Sequence, residues 1–162
     1  MSAAVLPHPL AKEIVKKLKA KKLTLAVAES ITGGALAAAI TDVPGSSLVF
    51  LGGIISYSDT AKTKFLAIPK RILTKHTAVS ETVAIAMAQS VRAQFGSDFA
   101  IATTGVAGPG KAYDQKAGTV WLAIASKKST FSVQLALSGD RAAIRHATVE
   151  SALATFARIL LS

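Results

Sequence analysis

The first residues whose types and spacing could do chemistry are Ser30 and Thr32. These two hydroxyls lie in Glu29-Ser30-Ile31-Thr32-Gly33-Gly34, between an apolar run and an alanine-rich one. Gly33 and Gly34 let backbone come close to a ligand because they carry no Cβ, and a helix starting there offers unpaired N–H groups with partial positive charge. Such a turn suits an anion or an oxyanion and makes Ser30 the leading candidate nucleophile. From spacing alone, Ser30 as a helix N-cap is the simpler reading. Hydrolysis by serine also needs a proton acceptor and donors for the oxyanion. The three histidines, His8, His76 and His146, lie outside the glycine-containing loops, which turns attention to lysine.

A second candidate loop is Thr104-Gly105-Val106-Ala107-Gly108-Pro109-Gly110. So much glycine after a strand, at Gly105, Gly108 and Gly110 beside Thr104, suits backbone contact with phosphate or ribose as well as a plain tight turn. Gly105 to Lys111 also reads G-x-x-x-x-G-K, as in a phosphate-binding P-loop. The next residue is Ala112, which lacks the Mg²⁺-binding hydroxyl, and no helix is expected before Gly118, so ATP hydrolysis is not the reading. Arg141 follows Gly139-Asp140 at a helix start, where it could pair with Asp140 or bind phosphate through its planar fork. With no cysteine and no histidines at ligand spacing, neither a disulfide nor a cysteine-ligated zinc site can form, and no metal or cofactor is expected.

The elements that must position these residues follow from pattern. A basic amphipathic helix spans about Pro9 to Lys22, and Leu23 to Ala28 is a buried strand. A helix covers Gly34 to Thr41, and Asp42-Val43-Pro44-Gly45-Ser46-Ser47 turns the chain. Leu48 to Tyr57 reads as a strand, with Gly52-Gly53 marking a bulge or a close approach. Asp59 is placed as the cap of a helix over Thr60 to Leu66. A short helix runs from Pro69 to about His76, and Ser80 caps a helix from Glu81 to Phe95. Strands follow over Phe99 to Thr104, Gly118 to Ser126 and Thr130 to Leu137, then a helix to about Leu161. The alternation predicts an α/β fold, a layered sandwich with a mixed, mostly parallel sheet flanked by helices, as a single domain over residues 1–162. Its loops beyond the strand ends, around Ser30, Tyr57, Gly105 and Arg141, should gather on one edge.

Composition bounds the rest. Hydrophobic residues are 51% and charged residues 17%, which argues for a large core, and much of the apolar fraction is alanine, so close helix packing is expected. No signal-peptide pattern opens the chain and no run reaches membrane-span length, so a cytoplasmic location is expected, with no membrane partner. The net charge of +10 raises polyanion binding. Much of it is Lys12, Lys16, Lys17, Lys19, Lys21 and Lys22, interleaved with apolar residues at helical spacing, which is better read as a solvated helix face.

The motifs quoted above, with Tyr57-Ser58-Asp59-Thr60-Ala61-Lys62, Ala78-Val79-Ser80-Glu81 and Gly118-Thr119-Val120-Trp121, run nearly end to end in one order. In them the chain resembles the CinA C-terminal domain family, which includes stand-alone nicotinamide mononucleotide deamidases. The resemblance implies hydrolysis of the carboxamide of nicotinamide mononucleotide to nicotinate mononucleotide and ammonia, without cofactor, in pyridine nucleotide salvage. It makes Ser30 the nucleophile and Lys62 the base assisted by Tyr57, with the Thr32, Gly33 and Gly34 turn as oxyanion site. Arg141, Thr104, Gly105, Gly108 and Gly110 would hold phosphate and ribose. Lys64 is a poor substitute for Lys62, because two helical residues add roughly 200° of rotation. A neutral Lys62 requires its pKa to fall from about 10.4 to about 7, roughly 4 to 5 kcal/mol, from desolvation and from repulsion by Arg141 and helix N-termini. A homo-oligomer is also expected.

The chain departs from the family pattern in three places. Ile31 stands where a cysteine is usual, and Asp59-Thr60 where Asn-Glu is usual. Lys111-Ala112-Tyr113-Asp114-Gln115-Lys116-Ala117 replaces a longer loop containing a glutamate. Two rival readings are a non-catalytic nucleotide-binding module linked to competence and a basic polyanion-binding protein.

Overall fold

The computed structural model describes residues 6–161; residues 1–5, part of the segment read for a signal peptide, lie outside the described residues. Alanines and branched residues alternate along the central strands, and this alternation builds the molecule. Parallel strands β1 (Leu25–Glu29) and β3 (Phe99–Gly105) and antiparallel β4 (Thr119–Ser126) place Ala26, Ala100 and Ala125 in one row and Ala28, Ala102 and Ala123 in the next. The other face of the same strands carries Val27, Ile101 and Ile124. β2 (Phe50–Ile55) pairs parallel to β1 and β5 (Thr130–Ala136) pairs antiparallel to β4, giving a five-stranded mixed sheet ordered β2-β1-β3-β4-β5. Two of its four ladders are parallel, so antiparallel pairing takes a larger share than the alternating sequence pattern suggested.

Each face is covered by its own helices. The alanine face takes α3 (Asp59–Leu66), α4 (Lys70–His76) and α5 (Glu81–Phe95), and α5 crosses all five strands with Val83, Ala84, Met87, Ala88 and Val91 buried. A row of methyl groups keeps the sheet surface shallow, so a helix can lie close against it. The branched face takes α1 (Pro9–Lys21), α2 (Ala35–Thr41) and α6 (Arg141–Leu161), which bury Ile14, Leu18, Leu36, Ile40 and Phe156 on it. The strand alanines are thus gathered on one side of the sheet, while helix alanines such as Ala11, Ala152 and Ala157 pack into the core on the other.

Local details refine the sequence reading. β1 begins two residues later than expected and runs on through Glu29, and the expected start of β2 is a 3-10 turn at Ser46–Leu48. Both expectations for Gly52-Gly53 hold. The β1–β2 register shifts between Leu25 and Ala26, and Gly52, at φ 140°, lies under the Phe95 ring, where a Cβ would sit 2.6 Å from Cε1. Ser58, not Asp59, caps α3, because its hydroxyl accepts from the Ala61 N–H and Asp59 is the first helical residue. Ser80 caps α5 as expected. Among the described residues, no helix is long and apolar enough to cross a membrane.

Candidate active site

β1 sits between β2 and β3; the connection from β1 to β2 runs over one face through α2, and that from β2 to β3 passes back across β1 on the other face through α3, α4 and α5. Such a divergence opens a crevice at the carboxyl ends of the parallel strands. Ser30 follows β1 there, with its N–H bonded to the Thr103 carbonyl of β3. A cleft of about 200 Å³ opens over it, lined by Ser30, Tyr57, Lys62, Thr104, Gly105, Gly108, Gly110 and Arg141. All four predicted loops contribute.

On the cleft wall, Lys62 is 1% exposed and its Nζ lies 3.0 Å from Ser30 Oγ and 2.9 Å from the Ser56 carbonyl. The Ser56 carbonyl fixes the amine as an acceptor for one of its protons, which directs the rest of the nitrogen toward Ser30. Burial pushes the Lys62 pKa down, and the Asp59 carboxylate one helical turn earlier pulls against it. Desolvation, not the repulsion expected from Arg141, is thus the cause of the lowering. Lys64, by contrast, faces out, with its amine over the Phe65 ring at 5.4 Å.

Arg141 stands across the mouth. Its guanidinium donates to the Gly108 carbonyl and to the Tyr57 hydroxyl, both at 2.8 Å. Those contacts use two of five donor N–H groups and leave the others for an anion. Asp140 does not pair with it; its carboxylate caps α6 by accepting from the Ala143 N–H. Because the Tyr57 oxygen accepts from Arg141, its own proton remains available to a ligand. Gly105 packs so closely that a Cβ would meet the Thr119 carbonyl oxygen at 2.8 Å and Ile31 Cδ1 at 3.0 Å. The Thr104 hydroxyl is already committed, donating to the Ala78 carbonyl at 2.7 Å.

One group of expected residues is not brought into the cleft. Thr32 is fully buried with its hydroxyl bonded to that of Thr103 at 2.7 Å. The Gly33 N–H is taken by the Ser30 carbonyl and the Gly34 N–H by a carboxylate oxygen of Glu29. Thr32, Gly33 and Gly34 therefore shape the turn, and these committed groups have nothing left for an oxyanion.

The residues that hold this turn were missed in the sequence. Glu29 is fully buried and accepts from Gly34, Leu36 and Ala37, so the free N–H groups of α2 face a carboxylate of the chain itself instead of a ligand. Gly34 gives α2 no capping side chain and its first turn contains no acid, a gap that could have pointed to Glu29. From the other side Arg145 donates to the carbonyls of Ile31 and Thr32 at 3.1 and 2.9 Å. It sits four residues after Arg141, on the same helix face, and that spacing was a readable signal.

Among the described residues, no group of three His, Cys, Asp or Glu is placed to hold a metal. The site is instead a serine hydroxyl against a buried, pKa-lowered amine, with an arginine at the mouth, in an α/β sandwich. The model of the CinA C-terminal domain matches residues 7–160, and the chain belongs to that family. It is 46% identical over 134 residues to a putative competence-damage inducible protein of Desulforudis audaxviator, covering 82% of this chain and 32% of that protein. A protein of the same description from Thermoanaerobacter sp. is 46% identical over 149 residues, covering 91% and 36%. The chain thus spans about a third of the length of these relatives. Among solved structures, the competence damage-inducible protein A of Klebsiella pneumoniae superposes with a TM-score of 0.93 at 34% identity, covering 97% of this chain and 98% of that one. The competence/damage inducible protein CihA of Agrobacterium tumefaciens gives 0.92 at 32%, covering 99% and 100%.

Proposed function

We propose that the chain is an amidase that hydrolyses the carboxamide of nicotinamide mononucleotide to nicotinate mononucleotide and ammonia, a step of pyridine nucleotide salvage. The observation that carries this reading is Ser30 Oγ at 3.0 Å from the Nζ of buried Lys62 on the wall of a cleft. A serine is a weak nucleophile until a base takes its proton, and a lysine serves as that base when burial keeps it neutral.

In the proposed reaction Ser30 Oγ attacks the carboxamide carbon while neutral Lys62 takes the hydroxyl proton. Tyr57 donates its O–H to the carbonyl oxygen as negative charge develops. Lys62 then hands the proton to the amide nitrogen, the C–N bond breaks and ammonia leaves an ester on Ser30. Water attacks that ester, Lys62 accepts a proton from it, and return of the proton to Ser30 Oγ releases nicotinate mononucleotide. Arg141 and the Gly105–Gly110 backbone hold the phosphate and ribose, so that binding energy remote from the amide orients the reacting carbon.

Rapid-quench intact-mass measurement with nicotinamide mononucleotide tests the covalent step. Expected is a transient mass gain that maps to the peptide bearing Ser30 and is missing in Ser30→Ala. Ammonia release by Ser30→Ala at the parent rate would contradict the assignment.

A further inference from the structure

The loop that departs from the family pattern ends in a conformation that ordinary residues avoid. Ala112 and Gln115 exchange backbone hydrogen bonds at 3.0 and 2.9 Å, closing a two-residue turn around Tyr113 and Asp114. Both have positive φ, 52° and 58°. A two-residue turn of this kind favours Asn-Gly or Asp-Gly, because a side chain in the left-handed region costs about 1 kcal/mol or more per residue. A bulky tyrosine there is out of keeping with the turn, and strain of this sort concentrates where a residue is held for a ligand.

What the turn accomplishes is to set the Tyr113 side chain into the cleft wall, about half exposed, with its hydroxyl making a long contact of 3.4 Å to Asp59 Oδ1. Asp59 begins the helix that carries Lys62. The phenol is held protonated, its pKa raised by burial and by the Asp59 charge, so the ring stays neutral. The Tyr113 ring thus lines the cleft with the Asp59 carboxylate behind its hydroxyl, while of the cleft's cations Arg141 belongs to the Tyr57 and Gly108 side and Lys111 lies two residues before Tyr113.

From this placement we infer that Tyr113, backed by Asp59, is a specificity-determining residue that selects a planar cationic ring by stacking. The inference rests on the proposed amidase reading, in which the ring is the pyridinium of the mononucleotide. A pyridinium gains on a tyrosine face through both stacking and its positive charge, and Asp59 adds a complementary charge nearby. The reduced, 1,4-dihydropyridine form of the same nucleotide keeps the carboxamide, ribose and phosphate but has neither the charge nor the aromatic ring. It should bind without benefit from Tyr113.

The test titrates Ser30→Ala protein, which cannot turn over, with nicotinamide mononucleotide and with its dihydro form by calorimetry. Tyr113→Asn is added because asparagine tolerates the left-handed region and keeps the turn, and Tyr113→Phe because it keeps the ring. Expected is about a five- to hundredfold weaker Kd for the oxidised nucleotide with Asn, the range that removing a stacked aromatic gives. Binding of the dihydro form should stay within about twofold, and Phe should track the parent within the same margin. Equal loss for both forms would mean a collapsed loop, and no loss for either an idle side chain; each overturns the assignment. If the Ser30→Ala parent binds neither form, the amidase reading itself falls and takes this inference with it. If the parent binds and wild type releases ammonia, only the Tyr113 assignment is at stake.

Discussion

At the scale of single residues the proposed chemistry needs a neutral amine at Lys62, inside a basic protein. Burial lowers its pKa and Asp59 raises it, so the two have opposite effects on the base. A lysine base works in its deprotonated form, so the rate rises as pH climbs through its pKa. Asp59→Asn removes the group that favours the ammonium, and the ascending limb of the pH–kcat profile should move to lower pH. A shift to higher pH, or none, would mean that Asp59 does not act on Lys62. Ser30 and the glycine loop were legible as reactive turns from the sequence. The choice of Lys62 over any other lysine was not, except through the family motif. Nothing in Asp59-Thr60-Ala61-Lys62 reveals that α3 turns this side chain inward to 1% exposure.

At the scale of elements, the turn bearing Ser30 is gripped from both sides, by the Glu29 carboxylate on three N–H groups and by the Arg145 guanidinium on two carbonyls. Removing the carboxylate leaves buried donors unpaired, each costing about 1–3 kcal/mol. Glu29→Ala should lower the melting temperature by roughly 5 °C or more, given about 2–4 °C per kcal/mol for a chain of this size. Arg145→Met touches no cleft-lining side chain assigned to substrate, so its expected effect is a fall in kcat of about tenfold or more with KM little changed. A rise in KM alone would make Arg145 a binding residue instead. The sequence concealed both grips, because each joins partners through the fold. Glu29 reads as the last residue before a turn, and Arg145 as one polar position on a long helix more than a hundred residues away. The strand and helix order was legible throughout, since alternation and caps are local signals. The β4–β5 hairpin was legible too, in the short loop at Lys127-Lys128 that joins its strands, whereas the antiparallel pairing of β3 with β4 was not, because the long loop between Gly105 and Thr119 leaves the strand direction open.

At the scale of the whole molecule, Lys62, Lys111 and Arg141 bring part of the +10 charge to the cleft, and the lysines of α1 carry another part outside it. On α1, Lys17 pairs with Glu13 and Lys21 donates to the Leu160 carbonyl of α6, while Ile14, Val15 and Leu18 face the core. The helix is thus an amphipathic cover with a lysine face, as its periodicity suggested. Replacing Lys12, Lys16 and Lys19 together by Gln should leave kcat and KM within about twofold, since contacts between exposed charges and a distant cleft are screened beyond about 10 Å. Steady-state ammonia release at two salt concentrations checks this. A large loss of activity would bring the basic face into the function after all. The site itself belongs to the sheet, because it needs the carboxyl ends of β1, β2 and β3 side by side.

The most direct measurement is ammonia release from nicotinamide mononucleotide in excess EDTA by wild type, Ser30→Ala and Lys62→Met, with folding of each protein checked by circular dichroism. A buried serine–lysine pair as the catalytic centre requires release by wild type that EDTA leaves unchanged, and a loss of at least about a thousandfold in both variants. Full activity in either folded variant, or a wild-type activity that EDTA abolishes, would contradict it.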